Sequence, residues 1–216
     1  MKLYAHPFSS YCQKVLIALY ENAIPFGLRL VNFGDPESVR EFAGVWPMKR
    51  KPVLIDDGRP VMESSVIIEH LGVSQPGPVR LLPADPEAAL DVRFMDRFFD
   101  SYVMTPMGRI VVDRMRAPEA HDPQGVTDAR SLLESAYGWL DGRMAGREWA
   151  AGDFSLADCA AAPSLFYADW VHPIGEGFPN TRAYRKRLLA RPSFARAVDE
   201  ARQYRGFFPG GAPDRD

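Results

Sequence analysis

A strand that runs straight into a helix constrains this chain more than any other feature. Leu3-Tyr4-Ala5 is a short apolar run that reads as a strand, and His6-Pro7-Phe8 turns the chain out of it. From there the apolar positions Cys12, Val15, Leu16 and Leu19 recur at helical spacing. The helix begins at Ser9 and Ser10, whose hydroxyls can cap free backbone N–H groups beside the positive end of the dipole. Such a place stabilises an anion.

The alternating run Phe26-Gly27-Leu28-Arg29-Leu30-Val31 predicts a second strand, which makes a strand-helix-strand unit with parallel strands. Asp35-Pro36-Glu37 has the order of an N-cap, a first-turn proline and a first-turn acid, so a short helix follows through Phe42. Pro52-Val53-Leu54-Ile55 and Pro60-Val61-Met62 flank Asp57-Gly58, a strong hairpin signal. Ser64 or Ser65 can cap the next helix, and Gly72 marks its stop. Gln75-Pro76-Gly77-Pro78 cannot continue a helix, which places a boundary between a first domain of residues 1–77 and a second of 84–216, with 78–83 as linker.

Beyond that boundary the helical period dominates and no strand is expected. Leu90, Phe94 and Phe98 share a face with Met95, Phe99 and Tyr102, and Pro106 should bend this helix, which resumes through Met115. Ser155 and Asp158 have the spacing of a reciprocal helix cap, with Phe154 available as a hydrophobic staple, so Asp158 is assigned to folding at the worth of a cap, about 1–2 kcal/mol. Cys159, inside an alanine-rich helix, reads as a small buried hydrophobe.

Charge and cysteine usage narrow the partners. The 26 basic and 28 acidic residues are interspersed, which leaves no footprint for nucleic acid, and the basic run Arg182–Arg191 reads as a solvated helix face. No stretch has the length and apolarity of a membrane span or signal segment, so a cytoplasmic protein is expected. Two cysteines cannot build a disulfide framework, and four scattered histidines lack metal-ligand spacing, so no metal is expected.

Taken together, Ser9-Ser10-Tyr11-Cys12, Lys51-Pro52-Val53-Leu54, Glu63-Ser64, the run Gly152-Asp153-Phe154-Ser155-Leu156-Ala157-Asp158, Phe178-Pro179-Asn180 and Leu188-Leu189-Ala190-Arg191-Pro192 resemble the cytosolic glutathione transferases over essentially the whole chain. The resemblance implies an α/β thioredoxin-like N-terminal domain with a mixed four-stranded sheet, an all-α C-terminal domain, glutathione as co-substrate and a homodimer. It places Ser9, with Ser10 as second choice, at the position that contacts the glutathione sulfur in serine-type members. Ala5 takes the place of the tyrosine of tyrosine-type classes, and Tyr4 falls on the opposite face of the strand. Cys12 occupies the second cysteine position of the related Cys-x-x-Cys segment, and a thiol mechanism through it is the lesser alternative.

For glutathione itself the resemblance implies Lys51, a cis Pro52 and the Val53 backbone beside the cysteinyl part, and Glu63 with Ser64 at the γ-glutamyl end. It further implies Lys49 or Arg50 at the glycyl carboxylate and Asp96 reaching across a dimer. A second-substrate pocket is expected from Phe8, Tyr11, Tyr102, Met104, Met107, Phe166 and Trp170, joined by Phe207 and Phe208. The implied reaction is attack of a glutathione thiolate on a small, apolar electrophile. An isomerase, a dehalogenase and a non-catalytic binding protein of the same fold are the alternatives.

Overall fold

Strand β1 (Lys2–Ala5) feeds helix α1 (Ser10–Glu21) in the computed structural model, which describes residues 1–216. Strand β2 (Gly27–Leu30) returns parallel to β1 and is followed by α2 (Pro36–Val45). Strands β3 (Val53–Asp56) and β4 (Arg59–Met62) then form a hairpin, and α3 spans Ser64–Ser74. The mixed four-stranded sheet has the order β2-β1-β3-β4, with β1 antiparallel to β3. At the hairpin turn Asp57 and Gly58 both have positive φ, 47° and 78°, as a two-residue turn of the primed kind requires.

Alternation along β1 divides the two faces of the sheet. Leu3 and Ala5 join a core of 50 buried residues that α1 and α3 share with the helical half of the chain. Tyr4 points the other way, into a cluster of four with Val31, Phe42 and Val53 beneath α2, and its hydroxyl donates to Glu41 at 3.1 Å. Helix α2 is capped as expected, with the Asp35 side chain accepting from Glu37 N.

Helix α3 departs from expectation at both ends. Its N-cap is Glu63 rather than a serine, and it passes through Gly72 to Ser74. A lone helical glycine costs only about 1 kcal/mol. The stop comes instead from Pro76, which disfavours helical backbone at Gln75. Residues 75–85 form no helix or strand, and the Asn22 side chain ties this segment to α1 by a hydrogen bond to each of the Val79 main-chain groups, N–H and C=O.

The remainder is helical: α4 (Pro86–Phe98), α5 (Thr105–Asp113), α6 (Pro123–Met144), α7 (Leu156–Val171), α8 (Pro179–Ala190) and α9 (Pro192–Ala201). Between α4 and α5 lies a π-helical stretch, Phe99–Met104, where a bend was expected from Pro106. The prolyl ring disrupts the regular ladder one turn back, and the backbone answers with a wider turn in which Thr105 N–H bonds to Asp100 O. Helix α5 ends at Asp113, short of Met115. Every residue of α7 is buried, consistent with its alanine-rich, apolar sequence, and it packs against α1, α4 and α8. No helix is long and apolar enough to cross a membrane.

The basic run on α8 is not a purely solvated face. Arg185 sits 3.2 Å from Asp169, and Arg191 grips Glu21 of α1 through two hydrogen bonds of 2.7 and 2.6 Å.

Asp158 does more than a cap. Its wholly buried carboxylate accepts from Ser155 N at 2.9 Å, Ser155 Oγ at 3.2 Å, Ala150 N at 3.0 Å and the Tyr184 hydroxyl at 2.5 Å. It joins the loop before α7, the first turn of α7 and α8. Asp158→Ala strands these four donors, each unpaired buried group costing about 1–3 kcal/mol, so the loss should reach about 4 kcal/mol or more rather than the worth of a single cap. Urea unfolding checks this, and the expected result is a large fall in stability with unchanged turnover per folded molecule.

Candidate functional site

A cleft of about 500 Å³ opens where the start of α1, the β2–α2 and α2–β3 connections, the start of α3 and the α4–α5 junction meet. Ser9 and Tyr11 line it from the first, Phe33, Lys49, Arg50, Lys51 and Pro52 from the connections, Glu63 and Ser64 from the third, and Arg97, Asp100, Ser101 and Thr105 from the last. Four cationic side chains outnumber two acidic ones, so the cleft favours an anionic ligand.

The three candidate reactive residues separate cleanly. Ser9 is the N-cap of α1, yet its hydroxyl makes no capping bond and stands at the cleft beside the helix N-terminus. Ser10 is the first residue of the helix and does not line the cleft. Cys12 is wholly buried, with its sulfur facing His6 N at 3.5 Å. Burial pushes the Cys12 thiol up, against opposing pulls from Ser9 and the His6 N–H. Burial and the raised thiol pKa both disfavour a reactive thiolate at Cys12. The Tyr11 phenol is driven up to about 12 by burial and the nearby Asp100, and it stays an O–H donor at neutral pH.

Glu63 has φ 68°, a left-handed conformation that costs a non-glycine residue about 1–3 kcal/mol and persists where the surroundings impose it. It turns the chain from β4 into α3 and brings its carboxylate and the Ser64 side chain to the cleft at the N-terminus of α3. The Lys51–Pro52 peptide bond is cis. Lys51 Nζ lies 4.2 Å over the Phe33 ring, and burial lowers its pKa. Val53 is buried in the sheet, paired with Tyr4 and Met62, and does not itself line the cleft.

Asp96 is engaged within its own chain. It is 3% exposed, lies 2.5 Å from the wholly buried Lys14 Nζ and accepts from Ser65 Oγ at 2.8 Å. Lys14 also pairs with Asp100 at 3.0 Å and donates to Ser65 Oγ at 2.9 Å. The cleft receives Arg97 and Asp100 instead, joined by an ion pair of 2.5 Å. Sequence reasoning missed both, although positions 97, 100, 101 and 105 repeat at helical spacing on one polar face. Burial raises the pKa of Asp100, with Lys14 opposing.

Of the seven residues expected around a second substrate, only Tyr11 lines the cleft. Met104, Met107, Phe166 and Trp170 are buried in the core, because the π-helical stretch and α5 turn their apolar residues inward and α7 is buried on every side. Tyr102 is half-exposed and packs on Phe98. Phe8 packs on Tyr167, Trp170 and Phe208. No group of three His, Cys, Asp or Glu side chains is placed to hold a metal ion.

Residues 3–79 match the family model of the glutathione S-transferase N-terminal domain, and residues 123–187 match that of the C-terminal domain. The chain belongs to the glutathione S-transferase family. A glutathione S-transferase from Methylobacillus flagellatus, solved with GSH bound, is 27% identical and superposes with a TM-score of 0.83 over 91% of this chain and 98% of its own. A second, from Methylobacterium radiotolerans in complex with glutathione sulfonate, is 29% identical with a TM-score of 0.77, covering 91% and 93%. Maleylacetoacetate isomerase from Rattus norvegicus is 28% identical over 198 residues, 89% of each chain.

Lys14 links the start of α1 to α3 and α4 beneath the cleft. Lys14→Met leaves the Asp96 and Asp100 carboxylates buried without their ammonium, and breaking such a pair costs about 3–5 kcal/mol. Denaturant unfolding should show that loss, with the double variant Lys14→Met/Asp96→Leu recovering part of it.

Proposed function

We propose that the cleft binds glutathione and holds its sulfur as a thiolate beside Ser9 for attack on a small electrophile. The observation that carries this reading is the Ser9 hydroxyl, unused as a cap, at the N-terminus of α1 in a cleft with excess positive charge. Its similarity to transferases crystallised with GSH and glutathione sulfonate supports the ligand.

Glutathione carries two carboxylates, one ammonium and a thiol, and the cleft has groups for each. Ser64 and the α3 N-terminus suit the γ-glutamyl carboxylate, Glu63 the ammonium, and Lys49 or Arg50 the glycyl carboxylate. At the strand end, Lys51, Pro52 and Val53 receive the cysteinyl main chain like an added strand. A free cysteine thiol has a pKa of about 8.5, so a hydroxyl donor and a helix N-terminus must favour the anion. The thiol proton leaves to solvent, the sulfur–carbon bond forms, and the leaving group departs with its electron pair. Ser9 donates a hydrogen bond throughout and forms no covalent bond.

Similarity to the rat isomerase favours a second reading of the same site. Here the sulfur adds to a conjugated double bond, the resulting single bond rotates, and the sulfur is expelled with glutathione regenerated. Both readings need the same thiolate.

A dimer belongs to this proposal. Leu90 and Phe94 on α4 and Trp139 on α6 are exposed side by side, with Phe94 and Trp139 rings 5.7 Å apart, and a second copy is the occupant inferred for this face. Sedimentation of Phe94→Asp should give a monomer where the parent chain gives a dimer.

A thermal shift titration tests binding, since a ligand of the native state stabilises it by mass action, and millimolar glutathione should raise the melting temperature. Ser9→Ala should keep that shift and raise the pKa of the bound thiol, read from thiolate absorbance. Loss of one oriented donor to an anion costs about 2–4 kcal/mol, so turnover of chlorodinitrobenzene should fall by two to three orders of magnitude. Absence of any shift, or full activity in Ser9→Ala, contradicts the reading.

A further inference from the structure

Lys51 is the one sheltered cation of the cleft with no anion beside it. Arg97 is ion-paired with Asp100 and donates to Ser65 Oγ at 3.3 Å, while Lys49 and Arg50 are exposed, where water solvates them. Lys51 is half-buried, its ammonium lies 4.2 Å from the centre of the Phe33 ring, and no carboxylate opposes the lowering of its pKa by burial. Lys14, by contrast, meets two carboxylates and a hydroxyl. Drawing an ammonium out of water is costly unless an anion accompanies it, and a ring face offsets only part of that cost. The placing of Lys51 therefore points to an anion that reaches the cleft as a ligand.

Backbone register sets this charge beside Ser9. The β1–β3 ladder pairs Leu3 with Leu54 and Tyr4 with Val53, so two residues further on Lys51 stands across from His6. The His6 carbonyl accepts from Ser9 N at 2.9 Å, and the His6 N–H faces the Cys12 sulfur at 3.5 Å. The charge of Lys51 is felt at both side chains, adding to burial in lowering the His6 pKa and opposing burial at the Cys12 thiol. His6 precedes Ser9 and Cys12 follows it by about one turn, so a cation that acts on both is placed to act on a sulfur held at the Ser9 hydroxyl. Ser9 and Lys51 line the same cleft.

The other titratable groups there do not take its place. Tyr11 keeps its proton, Glu63 is an exposed carboxylate, and Asp100 already shares Lys14 and Arg97. We propose that Lys51 is a catalytic residue of the thiolate site, its ammonium pairing with the glutathione sulfur and supplying charge where Ser9 supplies a directed hydrogen bond. The inference rests on the glutathione reading above. No bond to Lys51 forms and its own protons stay in place. The thiol proton leaves to solvent, and the ammonium stabilises the sulfur anion until the new sulfur–carbon bond takes up its electron pair.

The test measures the pKa of the bound thiol, from thiolate absorbance, in the parent chain, Lys51→Met and Lys51→Arg. An opposite charge within about 4–6 Å shifts a pKa by about 1–3 units, so Lys51→Met should raise that of bound glutathione by about one unit or more, with most of the rise reversed in Lys51→Arg. Turnover of chlorodinitrobenzene at saturating glutathione should fall about tenfold per unit at a pH below both values. At alkaline pH it should reach or pass the parent's, because a more basic thiolate is the better nucleophile. Lys51→Gln is the second neutral variant, for the case in which Lys51→Met fails to fold. γ-Glutamylcysteine, which lacks the glycyl carboxylate, should show the same rise. An unchanged pKa in the folded neutral variants overturns the proposal with the glutathione reading intact, as does a loss of affinity confined to glutathione, which assigns Lys51 to the glycyl carboxylate. A parent chain that binds neither thiol overturns the glutathione reading itself, and this inference with it.

Discussion

One buried ammonium, Lys14 Nζ, holds the architecture of the cleft together. It sits on α1 a little over one turn from Ser9 and meets Asp96 and Asp100 from the α4 region and Ser65 from α3. Replacing such a pair by apolar side chains is often neutral or favourable, so its presence is not explained by net stability. What it supplies is register. Rotating α1 or sliding α4 would separate buried charges, so Ser9, the start of α3 and the Arg97–Asp100 pair keep fixed relative positions.

Local chemistry was legible in the sequence wherever one segment decided the outcome. The strand-helix-strand order, the Asp57-Gly58 turn, the Asp35 cap and the Asp158 acceptor all follow from residues within a few positions of one another. Alternation on β1 placed Tyr4 opposite Leu3 and Ala5, as the two clusters bear out. Ser9 was distinguishable from Ser10 only through the resemblance, since both stand at a helix start. Partners distant in sequence were not legible: Asp96 carries no sign that Lys14, on another element, claims it.

The aromatic residues show a different limit. Helical spacing reports that Phe166 and Trp170 share a face of α7, but a core and a substrate pocket give the same pattern. Only packing separates them, and it places both in the core, with Phe208 against Trp170. The seventh residue of the expected pocket, Tyr11, could be placed because it sits in the same turn as Ser9. Most of the others sit on helices whose burial is decided by packing across the helical half.

The two faces of the sheet are unequally held. One joins a core of 50 residues, while the other rests on Tyr4, Val31, Phe42 and Val53, with α2 contributing only Ser38 and Phe42 as buried residues. Segments with few buried apolar contacts open at the lowest free energy. Phe33, Lys49 and Arg50 stand on the connections at either end of α2, so the cationic wall of the cleft is fastened to the most lightly anchored element of the sheet. An anion captured there would have to hold α2 in place as well, so part of its attraction would go into steadying the wall, and the grip of the site would be set by the thin face of the sheet as well as by its charges.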